Sequence, residues 1–342
     1  MNQRILVTGG AGYIGSVLVP QLVTQGKAVR VVDRLYWGDE SISWLGDSVE
    51  IIEGDVRDLP TSALDDVDAV IHLAGLSNDP TANFAPEANW EMNALATKAL
   101  AENCLEHGIR RIVFGSTCSI YDGLPGNQVY DETADVNPIG AYASSKAFAE
   151  RALLEAESQG LEPVILRQGT VYGPSRRMRY DLVVQTLLKD ALSNKRLSLH
   201  GGGYIWRPLV DIRDTSSVFA LCVDAPAELV KGKIFNVVHR NYQVRELAEE
   251  VERILEARGI RIELVSTPAP ELLRDYRCSN ALLTSTLGFT PSISVRDSVE
   301  DMLQFVETYN LGDFDNPRYY NIKWLSARAE QLATYSAATS GD

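Results

Sequence analysis

The sequence predicts an α/β fold built on a doubly wound parallel sheet. Short apolar runs rich in β-branched residues recur along the chain, and helical patterns separate several of them. Such runs are typical of strands buried on both faces, and strands that alternate with helices form parallel sheets covered on both sides. With 342 residues, 45% of them hydrophobic, the chain can form a sizeable core in one large domain or two small ones.

The predicted elements follow one another in a regular order. Apolar runs predict strands at residues 4–7, 28–32, 50–52, 69–73, 111–114, 164–166 and 234–238. Helical patterns occur at residues 16–24, 90–107, 143–157 and 244–257.

The composition changes after Pro174, where arginines, glycines and aromatic residues mix. We expect the later run at 234–238 to return to the main sheet, so that the two domains are interleaved. The first domain is predicted to comprise residues 1–174 and about 211–240, and the smaller C-terminal α/β domain residues 175–210 and 241–330. Residues 331–342 are small and polar and are predicted to form a flexible tail.

A glycine-rich turn separates the first strand from the first helix. Its sequence is Thr8-Gly9-Gly10-Ala11-Gly12-Tyr13-Ile14-Gly15. These glycines allow a tight turn and a close approach to a pyrophosphate, which the unpaired N–H groups of the helix N-terminus bind. Asp33 ends the second strand, where a carboxylate binds the adenosine ribose and repels a 2′-phosphate. The pattern predicts a Rossmann-type site and favours NAD over NADP, although an arginine such as Arg34 can also hold that phosphate.

Two further strand ends offer candidate cofactor contacts. Asp55 and Val56 follow the third strand, where the aspartate either binds the adenine or is a solvated turn residue. Leu73 and Ala74 follow the fourth strand, where small residues suit either a close cofactor or plain packing.

Tyr142-x-x-x-Lys146 places a phenol and an ammonium one helical turn apart. A free phenol has a pKa near ~10 and is a poor base at neutral pH. A neighbouring cation favours the phenolate and lowers that pKa. Tyr142 is therefore a candidate acid/base for a substrate hydroxyl.

Composition excludes several other functions. The net charge of −14 argues against a nucleic-acid-binding surface, and the few arginines near a cleft would have to attract any anionic substrate locally. The four cysteines and four histidines show no metal-ligand or disulfide spacing, so no metal site is expected. No run spans a membrane and residues 1–30 lack a signal-peptide pattern, which predicts a cytoplasmic enzyme.

Taken together, the motifs resemble the extended short-chain dehydrogenase/reductase family, in particular its NAD-dependent sugar-nucleotide epimerases and dehydratases. The resemblance covers nearly the whole chain. It rests on the glycine turn, Asp55-Val56, His72-Leu73-Ala74-Gly75, Asn93, Ser116-Thr117, Tyr142-x-x-x-Lys146, Arg167, Val171-Tyr172-Gly173-Pro174, Arg207-Pro208-Leu209-Val210 and Leu287-Gly288-Phe289.

The resemblance implies a role for each motif. Tyr142 would be the acid/base, and Lys146 would hold the nicotinamide ribose and lower the pKa of Tyr142. Thr117, 25 residues before Tyr142, would bind the reacting oxygen, with Ser116 as the alternative. The implied cofactor contacts are Gly9, Gly12, Tyr13, Ile14, Gly15, Asp33, Asp55, Val56, Leu73, Ala74 and Asn93. The implied substrate contacts are Ser77, Arg179, Arg207 and Arg274, the last two with a diphosphate.

The residues beside Thr117 bear on the reaction. The 4,6-dehydratases of this family carry an acidic pair there and the decarboxylases a glutamate, whereas this chain has Cys118 and Ser119. Epimerisation at C4 of a nucleotide-diphosphate sugar needs the fewest groups and is the leading hypothesis. A dehydratase using Cys118 or another group is the alternative, since a tuned thiol can transfer protons. A non-catalytic NAD-binding scaffold is the third.

Two further departures point to a substrate other than plain UDP-glucose. Leu76-Ser77-Asn78-Asp79-Pro80 replaces the usual loop after the fourth strand, and Tyr121-Asp122 replaces Tyr-Gly. The resemblance also implies a homodimer formed through the helices at residues 90–107 and 143–157.

Overall fold

The computed structural model describes residues 2–269 and 274–329, so the predicted tail at 331–342 lies outside the described residues. The strands are β1 (Arg4–Thr8), β2 (Ala28–Asp33), β3 (Val49–Glu53), β4 (Ala69–His72), β5 (Arg111–Thr117), β6 (Val129–Tyr130), β7 (Glu162–Gln168), β8 (Thr170–Tyr172), β9 (Arg196–His200), β10 (Trp206–Asp211), β11 (Lys233–Val237), β12 (Arg240–Gln243), β13 (Glu263–Thr267) and β14 (Arg277–Cys278).

The α-helices are α1 (Gly15–Thr24), α2 (Asp79–Phe84), α3 (Pro86–Trp90), α4 (Ala96–Glu106), α5 (Ala141–Ala156), α6 (Val183–Asn194), α7 (Ile212–Asp224), α8 (Ala227–Val230), α9 (Val244–Glu256), α10 (Ala281–Leu287), α11 (Val295–Thr308) and α12 (Asn321–Ser326). Short 3-10 helices occur at Ser43–Ser48, Val56–Asp58, Thr61–Leu64, Cys118–Tyr121, Glu157–Gln159, Gly201–Gly203 and Pro317–Tyr319. No helix of the described residues is both long and apolar enough to cross a bilayer.

A seven-stranded sheet forms the centre of the fold, in the order β11-β7-β5-β4-β1-β2-β3. Every neighbouring pair in it is parallel. This confirms the predicted α/β class, including the return of the run near residue 234 to the sheet edge.

Alternate residues of the central strands serve two different cores. On β1, Ile5 and Val7 pack with α1 and α7 on one face, in the core that contains Leu18 and Phe219. Leu6 faces the opposite core, which contains apolar residues of α4 and α5. Because side chains alternate along a strand, a sheet covered on both faces needs apolar residues at every position. The near-continuous apolar runs of the sequence follow from this requirement.

The second half of the chain builds smaller sheets around a core of its own. β10 pairs with β8 and β12, β9 pairs with β13, and β6 pairs with β14. A separate apolar cluster includes residues of α6, α9 and α11. The predicted division into two interleaved domains agrees with this layout and stays a prediction.

The helix predicted at residues 90–107 is interrupted. α3 ends at Trp90, a π-helical turn occupies Glu91–Leu95, and α4 begins at Ala96. Such turns widen a helix locally and are frequent at functional sites. Here the widened turn contains Asn93, whose side chain is completely buried.

Candidate active site

A cavity of about 440 Å³ opens at the carboxyl ends of the central strands. All strands of a parallel sheet end at the same edge, so the loops after β1, β2, β4 and β5 meet there. The segment after Pro174 and part of the C-terminal region close the opposite side. Residues lining it include Gly9, Gly12, Tyr13, Ile14, Gly15, Asp33, Val56, Leu73, Ala74, Ser77, Thr117, Ser119, Tyr142, Lys146, Arg177, Arg179, Arg207, Arg274, Tyr276 and Asn321.

The glycine turn has the geometry that its sequence predicts. Gly9 has a φ of 74°, and a Cβ added there would lie 2.7 Å from the backbone nitrogen of Ala74. A Cβ at Gly15 would overlap with the carbonyl oxygen of Gly10. No side chain caps the first turn of α1. Within that turn the N–H groups of Ser16 and Val17 donate to the carbonyl oxygens of Gly12 and Ile14. The open backbone of the glycine turn itself, at the N-terminus of α1, therefore forms the cradle that fits the pyrophosphate of a dinucleotide.

Asp33 lies where the ribose of such a dinucleotide would be bound. Its carboxylate accepts hydrogen bonds from the backbone N–H groups of Ala11 at 3.0 Å and Leu35 at 2.8 Å. Burial raises the pKa of Asp33, and these two hydrogen bonds oppose that effect. The aspartate is thereby fixed on the glycine turn with its carboxylate at the cavity.

Asp55 lies outside the residues that line the cavity, and its contact with the adenine stays a prediction. Its carboxylate accepts hydrogen bonds from Arg57, at 2.8 Å from the backbone nitrogen and at 2.8 and 3.1 Å from the guanidinium, and from Arg34 at 2.9 Å. Burial acts to raise the pKa of Asp55, but the hydrogen bonds from Arg57 outweigh it and lower the pKa. Asp55 shapes the turn, whereas its neighbour Val56 lies at the cavity wall.

Asn93 is also absent from the cavity lining. Its amide donates to the carbonyl oxygen of Leu76 and to Oδ1 of Asn89, both at 2.8 Å, and to Oγ of Ser145 at 3.3 Å. Asn93 therefore fixes the loop after β4 to the helices behind it. Leu73 and Ala74, the two other residues predicted near this strand, do line the cavity.

Tyr142 and Thr117 both line the cavity, and the Thr117 hydroxyl lies close enough to the Tyr142 phenol to lower its pKa. Thr117 ends β5 and its Oγ1 accepts a hydrogen bond from the backbone N–H of Ser119 at 3.0 Å, which fixes the hydroxyl. Burial raises the pKa of Tyr142 to about 12, against the lowering effects of the Arg179 charge and of Thr117. The two hydroxyl groups can bind one substrate oxygen between them.

Lys146 lies one turn along α5, and its Nζ donates to the carbonyl oxygen of Gly115 at 2.9 Å. Burial lowers the pKa of Lys146 to about 8, which the Glu150 carboxylate partly opposes. The lowering of the Tyr142 pKa by Lys146 stays a prediction, since here the ammonium donates to that carbonyl oxygen. The cation that lowers it in this structure is Arg179.

A buried ion pair fixes the catalytic helix to the sheet. The Glu150 carboxylate, on α5, accepts hydrogen bonds from Arg167 of β7 at 2.7 to 3.2 Å and from Oγ of Ser116 at 2.5 Å. Arg167 also donates to the hydroxyl of Tyr121 at 2.8 Å. Ser116, the alternative to Thr117, is therefore engaged in this network.

Cys118 is turned away from the cavity, unlike its neighbours Thr117 and Ser119. Its Sγ donates to the carbonyl oxygen of Arg167 at 3.1 Å, in an apolar cluster with Tyr121 and Cys278. Burial raises the pKa of the Cys118 thiol well above its usual value. The structure therefore gives no support to Cys118 as a proton-transfer group.

Arg179 and Ser77, two of the predicted substrate contacts, meet at the cavity wall. Arg179 donates to the carboxylate of Asp181 at 2.8 and 3.0 Å and to Oγ of Ser77 at 2.9 Å. It is buried although charged, and its pairing with Asp181 compensates for the lost hydration.

The sequence reasoning did not identify the contribution of the C-terminal region. Asn321 accepts a hydrogen bond from Arg177 at 2.6 Å and donates one to Ser77 at 3.1 Å. Nε1 of Trp324 donates to the carbonyl oxygen of Tyr36 at 2.6 Å. No pattern in the sequence signals these contacts, because they join residues far apart in the chain.

Arg177 is one of the arginines that follow Pro174 in the sequence. It is buried and stacks over the ring of Trp37, 4.1 Å from its centroid. Burial lowers its pKa to about 9. The cavity therefore carries a second buried cation beside Arg179.

Comparison with known proteins agrees with this site. A model of the NAD dependent epimerase/dehydratase family matches residues 5–237. A UDP-glucose 4-epimerase of Streptomyces lividans is 28% identical over 91% of this chain and 98% of its own length. A dTDP-glucose 4,6-dehydratase of Streptomyces niveus is 26% identical over 99% of both chains.

The fold is similarly shared with solved structures. The structure of MoeE5 in complex with UDP-glucuronic acid and NAD is 27% identical, has a TM-score of 0.76, and is matched over 89% of this chain and 99% of its own. The family match covers more than half of the chain and includes the glycine turn, Thr117, Tyr142 and Lys146. This chain therefore belongs to the NAD dependent epimerase/dehydratase family, and its cofactor is NAD.

Proposed function

We propose that the protein is a 4-epimerase of a nucleoside-diphosphate sugar that oxidises its substrate transiently to a keto sugar. The observation that carries this proposal is the Tyr142–Thr117 pair at the cavity end of β5, with Lys146 beside it. Among the described residues, the carboxylates that line the cavity are Asp33 and Asp181, and both are already engaged in hydrogen bonds. The residues beside Tyr142 thus supply one acid/base and no second one.

Tyr142 acts as the base. Thr117 holds the C4 hydroxyl of the sugar against the phenol, and Tyr142 takes its proton as the carbon is oxidised. The charge of Arg179 favours the phenolate that this step requires, in a cavity where burial opposes it. In the return step Tyr142 gives the proton back to the oxygen.

NAD supplies the hydride acceptor when it is bound, and the same hydride returns to the sugar, so that no net oxidation results. Lys146 would bind the nicotinamide ribose with the ammonium donors that Gly115 does not use. For inversion, the keto sugar must turn between the two hydride transfers. Its diphosphate can stay bound during that turn.

Two arginines support a diphosphate substrate. Arg207 and Arg274 line the cavity on the side away from the glycine turn. Burial lowers the pKa of both guanidinium groups, which indicates partly desolvated cations. Guanidinium forks are well suited to phosphate oxygens.

Dehydration is the second candidate. A related 4,6-dehydratase aligns with 99% of the chain, and this similarity is the reason to retain dehydration as a candidate reaction. Elimination of water requires a group that removes a proton beside the ketone and one that protonates the leaving hydroxyl. The burial of Cys118 removes the group that sequence reasoning offered for this step, so epimerisation is the better supported reaction.

We also propose a homodimer in the cytoplasm. Phe84, Trp90 and Leu95 are 40%, 40% and 47% exposed near α4 and α5, and the ring of Phe148 lies 5.2 Å from that of Trp90. An exposed apolar group of this kind favours a protein interface. All four cysteines are unpaired, which suits a reducing compartment, and cell fractionation would check the location.

Incubation with UDP-glucose, dTDP-glucose and related nucleotide sugars tests the reaction directly. We expect a product of unchanged mass and inverted C4 configuration, measured by mass spectrometry and NMR. A product lighter by one water would contradict epimerisation and favour dehydration. Loss of NADH from an added pool would instead indicate a net reductase.

Tyr142→Phe is expected to lower kcat by about 10²–10⁴-fold, since general acid–base catalysis contributes about that much. Bound NAD should remain, because the phenol is not part of the pyrophosphate cradle. Tyr204→Phe is the matched control, since Tyr204 is 60% exposed and lies outside the cavity lining. Full activity of Tyr142→Phe would revive the scaffold hypothesis.

Arg179→Gln is expected to shift the acidic limb of the kcat–pH profile to higher pH. The positive charge lowers the pKa of Tyr142. Its removal therefore raises that pKa, and a higher pH is needed to form the phenolate. A shift of about one pKa unit corresponds to about tenfold lower activity on that limb. Arg176→Gln, which removes an equal charge from a half-buried neighbour, should leave the limb in place. An unshifted limb in Arg179→Gln would show that Arg179 does not tune Tyr142.

Leu95→Glu is expected to convert the homodimer into a monomer, because a buried carboxylate in an apolar interface is strongly unfavourable. Light scattering coupled to gel filtration would measure the mass. Leu282→Glu, at a position 36% exposed on α10, is the control and should stay dimeric. A monomeric wild-type protein would contradict the proposal.

A further inference from the structure

Two segments in which the chain departs from the pattern of its family meet at one guanidinium group. Asp79 belongs to the Leu76–Pro80 loop after β4, and Asp122 follows the 3-10 helix Cys118–Tyr121 after β5. Both carboxylates form ion pairs with Arg274, which lies in the substrate half of the chain.

The contacts engage one edge of Arg274. Its Nε lies 2.7 Å from Oδ2 of Asp122, and its Nη2 contacts Oδ2 of Asp79. The side chains of Asp122 and Asp79 are only 7% and 11% exposed, whereas that of Arg274 is 32% exposed. Two nearly buried carboxylates thus hold a cation that still reaches the cavity.

Asp79 is itself held tightly in place. It begins α2, and Oδ1 of its carboxylate lies against Gly140, the residue before α5. A Cβ at Gly140 would overlap with that oxygen, so the close approach requires glycine. Asp79, which forms an ion pair with Arg274, is therefore packed against the start of α5, the helix that contains Tyr142.

One nitrogen of the Arg274 guanidinium is left for a further contact. Among the contacts of the described residues, its Nη1 has no partner. Arg207 donates from its own Nη1 to the carbonyl oxygen of Arg274, so the two arginines are joined through the backbone. Both arginines line the cavity, and guanidinium groups are well matched to the oxygens of a diphosphate.

We propose that Asp79 and Asp122 are positioning residues, which hold Arg274 in the orientation that binds the diphosphate of a nucleoside-diphosphate substrate. This inference rests on the proposed function. An arginine side chain loses rotamer entropy when binding fixes it. Carboxylates that order the side chain beforehand remove part of that cost and so tighten binding.

The opposite effect is physically reasonable and makes the inference testable. Two carboxylates near a diphosphate also repel it, so removing one charge would tighten binding if repulsion were dominant. For the same substitution, positioning therefore predicts a higher Kd of the nucleotide, whereas repulsion predicts a lower Kd.

The test is calorimetric titration of the NAD-bound protein with UDP and with dTDP. Asp122→Asn is expected to raise the Kd of the nucleotide that binds by about tenfold, and Asp79→Asn to change it in the same direction. Bound NAD and the melting temperature should stay close to wild type in Asp122→Asn, which separates positioning from misfolding. Asp135→Asn removes an equal charge from an exposed position and should leave the Kd unchanged.

A double-mutant cycle tests whether the aspartate acts through the arginine. Adding Asp122→Asn to Arg274→Met should change the Kd no further, since residues that act as one unit are not additive. Additive effects, or a lower Kd in Asp122→Asn alone, would overturn the inference and leave the proposed function standing. Wild-type protein that binds neither UDP nor dTDP would overturn the diphosphate role of Arg274, and with it both this inference and the proposed substrate class.

Discussion

The site depends on the buried ion pair between Glu150 and Arg167. Glu150 is on the same helix as Tyr142 and Lys146, and Arg167 is on the strand next to the one that ends at Thr117. The pair therefore sets the distance between the two halves of the acid/base machinery. Breaking a buried pair leaves an uncompensated charge and costs about 3–5 kcal/mol. This cost helps keep the helix in one register against the sheet.

The sheet and the glycine turn could be predicted from sequence because their requirements are local. Strands buried on both faces demand continuous apolar runs, and a pyrophosphate cradle demands glycine at positions such as Gly9 and Gly15, where a Cβ would collide. Tyr142 and Lys146 follow from helical spacing alone. Asp33, Leu73 and Ala74, three of the predicted cofactor contacts, line the cavity.

Other positions could not be predicted because side-chain direction depends on tertiary partners. Asp55 and Asn93 are close in sequence to residues that line the cavity. Their side chains, however, form hydrogen bonds with Arg57 and with the Leu76 carbonyl group outside the cavity lining. Cys118 lies between two cavity residues but faces the other side, as the 3-10 helix that it begins dictates. The effect of the Arg179 charge on the Tyr142 pKa also depends on a segment remote in sequence.

The position of Asn321 and Leu325 on the cavity wall has a consequence for how the protein is made. Chains emerge from the ribosome from the N-terminus, and early domains fold as they emerge. The glycine turn, Asp33 and Tyr142 can be in place while the region that contacts Ser77 and Tyr36 is still being synthesised. The wall of the cavity is therefore completed only after residue 325 has left the ribosome. Until then the NAD site is open on that side.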